Sequence, residues 1–189
     1  MKQLRLFAAL LLLITFSTCS TRQAGKQTSE SFEPPLTATI PINPNVIKGE
    51  LENGIKYLIL VNKKPENRAE LRLVVNVGSV LEADDQQGLA HFTEHMAFNG
   101  TEHFAKHEII DYLESIGTRF GADLNAYTSF DETVYKLRVP TDSIAIVEKA
   151  FLILEDWAKG ITFSDEEIDK ERGVVIEEWR RGQGAEMRM

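Results

Sequence analysis

The sequence predicts a fold that mixes β-strands with α-helices. Three observations carry this: an Asn53-Gly54 turn signal before a strand-like stretch, apolar alternation at Leu71, Leu73, Val75 and Val77, and four stretches with apolar residues at helical spacing. The 189 residues are 43% apolar and 26% charged, which suits one globular domain with its own core. The formal charge is −8; residues 1–18 hold Lys2 and Arg5 and no acid, and removing those two charges leaves −10 on the remainder. An acidic body of that kind argues against nucleic acid and anionic membrane surfaces as partners.

Residues 1–19 read as a signal peptide: a basic start, an apolar run from Leu6 to Phe16 too short to span a bilayer comfortably, then small polar residues up to Cys19. Cys19 is the only cysteine, so no disulfide forms within the chain. Its position resembles that of the lipidated cysteine of a bacterial lipoprotein signal, although Phe16 and Thr18 depart from that pattern. Lipidation with membrane anchoring, or plain cleavage and export, are the two alternatives; both put the protein in the periplasm or at the outer membrane. Residues 20–45, rich in Ser, Thr, Gln and Pro, are expected to be a flexible tether.

From Lys48 the elements follow in order. Asn53-Gly54 predicts a hairpin, with Ile55 to Val61 as its second strand. Leu71 to Val77 is a strand ended by Gly78-Ser79. Asp84 and Gln87 form a capping-box pattern that would open the first helix, with Leu89, Phe92 and Met96 on its core face, until Asn99-Gly100 stops it. A second helix, Glu108 to Ile116, has the stripe Ile109, Ile110 and Leu113 and stops at Gly117. Tyr135, Leu137 and Val139 alternate as a strand closed by Pro140. A third helix, about Ser143 to Lys159, has Ile144, Val147, Phe151, Leu154 and Ala158 on one face. A fourth starts at the Ser164 and Glu167 capping box and runs to about Arg181.

Chemistry concentrates in His91-Phe92-Thr93-Glu94-His95. On a helix, positions i, i+3 and i+4 share a face, so both imidazoles and the carboxylate would point the same way. Two neutral imidazoles one turn apart suit a tetrahedral zinc, and the carboxylate would take a proton from a water that the metal acidifies to a pKa of about 7. The order H-x-x-E-H is the inverted-zincin signature. Catalytic zinc usually has three protein ligands, so a third is sought. His103 and His107 fall in or near a loop and read as surface residues. The fourth helix offers Glu171, Glu177 and Glu178. Glu171 and Glu178 share a face, while Glu177 is rotated by about 100°. Glu178 has Val174 and Val175 one turn back, an apolar setting in which a carboxylate needs a strong partner. Glu177, beside Arg180 and Arg181, reads as a solvated charge.

Four blocks carry a resemblance: Gly78-Ser79 through Glu82; Gly88 to Phe98 with Gly100-Thr101; Asn125-Ala126-Tyr127-Thr128 with Thr133-Val134-Tyr135; and Glu171-Arg172 through Glu178. In order and spacing the sequence resembles the pitrilysin family of zinc metallopeptidases, which includes insulin-degrading enzyme and the mitochondrial processing peptidase. The resemblance covers residues 46–189. It implies an α+β fold, an antiparallel-rich sheet with helices packed on it. It implies one Zn2+ held by His91, His95 and Glu178, Glu94 as general base, and Glu171 as an acid that orients the site. Asn125 and Ala126 would bind substrate on an edge strand, to which an unfolded or flexible peptide adds by main-chain hydrogen bonds.

Family members are longer, and their second half supplies further substrate-binding groups. Residues 46–189 are therefore expected to be an N-terminal catalytic peptidase domain truncated at its C-terminal end. Its partners would be peptide substrates and the missing domains or a separate subunit. The favoured function is a zinc-dependent endopeptidase. The alternatives are a non-catalytic peptide-binding or scaffold subunit on the same fold, a metal-binding surface protein, and a fragment inactive without its C-terminal half.

Overall fold

A computed structural model describes residues 41–182. The expected signal peptide, Cys19 and the tether as far as residue 40 lie outside the described residues. Five strands and four helices run in the order β1 (Val46–Glu50), β2 (Lys56–Leu60), β3 (Arg68–Val75), α1 (Leu89–Met96), α2 (Glu108–Ser115), β4 (Leu124–Thr128), β5 (Thr133–Pro140), α3 (Ile144–Lys159) and α4 (Asp165–Gly182). A 3-10 turn at Ser79–Leu81 precedes α1. The fold is α+β, as expected, and every strand pairing is antiparallel. No helix among the described residues is long and apolar enough to cross a membrane.

The Asn-Gly signal produces the β1–β2 hairpin. Gly54 takes φ +87, a backbone conformation open to glycine at no steric cost, and its N–H donates to Leu51 O at 2.9 Å. The second sheet has the order β3-β5-β4, so β5 is central and β4 lies at an edge. Register pairs Leu71 with Leu137 and Leu124 with the same Leu137, which stacks the inward residues of three strands into one layer. Helix α3 covers this layer, and Ala150, Ile153 and Trp157 meet Leu137, Val139 and Tyr135 in the core, with the Tyr135 and Trp157 rings stacked at 5.3 Å. The apolar stripe of α2 is as predicted, with Ile109 and Leu113 buried and Gly117 (φ +81) ending the helix.

Four expectations need correction, the last in part. Asp84 and Gln87 do not cap α1. The helix starts five residues later, after Gly88 turns the chain at φ +91, and the Glu82 carboxylate accepts the Gly88 and Ala90 N–H groups at 2.8 Å each. An acid from upstream thus takes up the free N–H groups and positive end of the helix. Leu89 is 52% exposed rather than in the core, which α1 enters through Met96 and Ala97. On α3 the buried row is Ala150, Ile153 and Trp157, while Ile144 and Phe151 of the expected face are exposed. Both rows of α3 are apolar, and the one that meets the sheet carries Ala150, Ile153 and Trp157. The Ser164 cap holds in half: Ser164 Oγ accepts the Glu167 N–H at 3.4 Å, but the Glu167 side chain turns away to Lys106 and Lys170.

Candidate metal centre

Helices α1 and α4 build the site. Four-residue spacing on α1 puts His91 and His95 one turn apart, their rings edge to face at 4.7 Å and their Nε2 atoms 3.1 Å from each other. Glu178 of α4 closes the group: its Oε2 is 3.3 Å from His95 Nε2 and 3.5 Å from His91 Nε2. Glu177 does not reach it and instead pairs with Arg180 on the surface. The apolar setting expected for Glu178 is not found, since α4 has no buried residue and the Glu178 side chain is 46% exposed. The histidines, not the flanking valines, are its surroundings.

Glu171, two turns before Glu178, reaches the other edge of His95. His95 Nδ1 lies 2.7 Å from Glu171 Oε1, and a carboxylate only accepts, so Nδ1 carries a proton; in the neutral ring the Nε2 lone pair then faces His91 and Glu178. The second Glu171 oxygen accepts from Asn99 Nδ2 at 2.8 Å. Glu94 is 8% exposed, and its Oε2 accepts from the Thr128 hydroxyl of β4 at 2.6 Å. Burial, and then the Glu94 charge, push the Tyr135 phenol well above its ordinary value, so it stays neutral beside the carboxylate. Asn125 is exposed and Ala126 half-buried on β4, whose outer edge is unpaired among the described strands.

The sequence profile of the insulinase family, peptidase family M16, matches residues 57–187. The chain belongs to this family. The probable zinc protease PqqL of Haemophilus influenzae is 44% identical over 152 residues, which cover 80% of this chain and 16% of that protein. The chloroplastic stromal processing peptidase of Oryza sativa subsp. indica is 38% identical over 158 residues, 82% of this chain and 12% of the relative. The crystal structure of the periplasmic protease PqqL from Escherichia coli superposes with a TM-score of 0.75 at 42% identity, over 80% of this chain and 17% of that one. The chain thus spans about a sixth of the length of the PqqL relatives.

Relatives in this insulinase family are named zinc proteases, which implies zinc as the cofactor. The donor set fits that metal. Two imidazole nitrogens and one carboxylate oxygen converge, and their separations of 3.1, 3.3 and 3.5 Å bracket the edge, about 3.3 Å, of a tetrahedron with ligands about 2.0–2.1 Å from its centre. With these three as its protein ligands, a zinc ion would keep a position for a reactant.

Two contacts were not foreseen in the sequence. Asn99 follows His95 at the same four-residue spacing that links His91 to His95, a signal that could have found it. Thr128 lies 34 residues from Glu94, and no local pattern joins them.

His103 stands apart from the centre, as expected of a loop residue. Its Nδ1 is 2.7 Å from Asp156 Oδ1, while Thr101 Oγ1 and the His103 N–H both donate to Asp156 Oδ2. Glu102, His103 and Asp156 also converge, but both Asp156 oxygens are taken, so the group acts as a tie between α3 and the chain after α1. The Asp156 contact, above all its hydrogen bond, raises the His103 pKa above its usual 6.5. Stabilisation by protonated His103 is then complete below that value and is lost as pH rises through the raised one. The melting-temperature advantage of the wild type over His103→Gln should accordingly be larger at about pH 6 than at about pH 8.5. An advantage equal at both would remove the ion pair from the account.

Proposed function

We propose that this chain is the metal-binding part of a zinc endopeptidase that cleaves unfolded or flexible peptides. The observation that carries the reading is the convergence of His91, His95 and Glu178 beside a buried carboxylate, Glu94, held by one oxygen. His91, His95 and Glu178 would hold the ion. When bound, zinc supplies Lewis acidity that polarises a peptide carbonyl and acidifies water. Glu94 would take the proton of the attacking water and deliver it to the peptide nitrogen as the C–N bond breaks, so that the nitrogen leaves as a neutral amine. Thr128 fixes the Glu94 carboxylate and leaves its other oxygen for this transfer. Glu171 fixes His95, so that the ring offers a lone pair and not a proton.

The free edge of β4 supports an extended substrate as an added strand, with Asn125 and Ala126 at the point of addition. A strand can be added only by a segment whose own backbone hydrogen bonds are unmade, hence the preference for flexible peptides. Export to the periplasm is supported by the basic and apolar pattern of residues 2–16 and by the periplasmic PqqL of E. coli; a lipid on Cys19 would add membrane attachment. The great length of the relatives supports further domains, or a partner subunit, that complete the peptide-binding chamber. In the full-length protein, hydrolysis of an unstructured fluorogenic peptide should fall to background with a chelator and return on adding zinc. Turnover indifferent to chelation would end the proposal.

A further inference from the structure

We propose that Asn99 is a positioning residue of the metal centre, clamping Glu171 so that Glu171 holds His95 in one tautomer and one ring orientation. This rests on the zinc-site reading above and concerns a residue outside the ligand set. Asn99 continues the row of His91 and His95 past the end of α1, where its N–H still donates to Met96 O at 3.0 Å. Its Nδ2 lies 2.8 Å from Glu171 Oε2 and 3.3 Å from His95 O. Both partners are acceptors, so the amide nitrogen faces them, and each of its two hydrogens has its own acceptor.

The Glu171 carboxylate is thereby divided, one oxygen to His95 Nδ1 and the other to Asn99. A carboxylate held at both oxygens cannot rotate about its last torsion, and the acceptor presented to His95 keeps its direction. Neutrality matters as well, because an aspartate at this position would bring a second negative charge against Glu171. The ordinary reason for an asparagine after a helix does not apply. An asparagine that ends a helix in the left-handed conformation has positive φ, and among the described residues the non-glycine positions with positive φ are Asn67 and His107.

The test measures zinc affinity of the full chain by chelator competition, together with the visible spectrum of the cobalt-substituted protein. Asn99→Leu should weaken zinc binding by about 10-fold to 100-fold, the usual effect of losing a group that orients a metal ligand. It should also shift the cobalt bands, which a loss of stability alone would not do; the metal-free protein should melt somewhat lower, because one Glu171 oxygen loses its partner. Asn99→Asp, nearly the same size, should weaken binding at least as much and serves if the leucine variant does not fold. In a Glu171→Gln background, adding Asn99→Leu should cost little more, because its effect passes through Glu171. Wild-type affinity in Asn99→Leu, or losses that simply add in the double variant, would overturn the proposal while leaving the zinc site standing. Failure of the wild type to bind one zinc would overturn both.

Discussion

Glu94→Gln, in the full-length protein, is expected to keep its zinc and lose about 10²-fold to 10⁴-fold in kcat. Glutamine has the shape of glutamate, and its amide oxygen can still accept from Thr128, so the buried pocket stays filled and hydrogen-bonded. What it cannot do is take a proton. Glu94 is also absent from the converging donors, which are His91, His95 and Glu178. The substitution therefore separates proton transfer from metal binding. Metal content by elemental analysis and turnover of an unstructured peptide are the two measurements. Turnover within a few-fold of wild type, with zinc bound, would remove Glu94 from the chemistry. A non-catalytic peptide-binding subunit predicts the opposite pattern, peptide binding with no turnover in the wild type itself.

Glu94 also shows where reading a sequence stops. Its place before His95 was enough to put it on the helix beside the imidazoles, because a helix fixes neighbours within one turn. That its partner is Thr128 depends on α1 lying over β4, which no local spacing encodes. The same division runs through the fold. Asn53-Gly54, the alternation of Leu71, Leu73 and Val75, and the stripe of α2 were legible because each is a local pattern tied to one backbone geometry. On α3 two adjacent rows are apolar, and periodicity identifies a helix without saying which row meets the sheet; that depends on packing against β5, which no local spacing encodes. At the start of α1, Asp84 and Gln87 satisfy the local rule, yet the helix begins later and Glu82 takes its first N–H groups from farther back. Val174 and Val175 single out Glu178 over Glu177 by an apolar setting, and Glu178 does face the histidines, but that apolar setting is not there.

His95→Ala is expected to abolish zinc binding at concentrations that saturate the wild type, a loss greater than the roughly 100-fold typical of an orienting residue. His95 belongs to two sets of contacts at once. Its Nε2 stands 3.1 Å from His91 and 3.3 Å from Glu178, and its Nδ1 is bound to Glu171. Removing it leaves two candidate ligands and deprives the Glu171 carboxylate of its strongest partner. Two effects on thermal unfolding follow. Zinc at about 100 times its dissociation constant stabilises a protein that binds it only when folded by about 2.7 kcal/mol. The wild type should therefore melt higher with zinc, and His95→Ala should not respond to it. Without metal, His95→Ala should still melt below the wild type, because Glu171 is then half unpaired in a nearly buried position. His91→Ala should also lose the zinc response, yet change the metal-free protein less, since His91 is more exposed and, among the described residues, has no carboxylate on its far nitrogen. Glu177→Ala is the control and should respond to zinc as the wild type does. A zinc response kept in His95→Ala, or lost in Glu177→Ala, would mean that the ion is held by other residues.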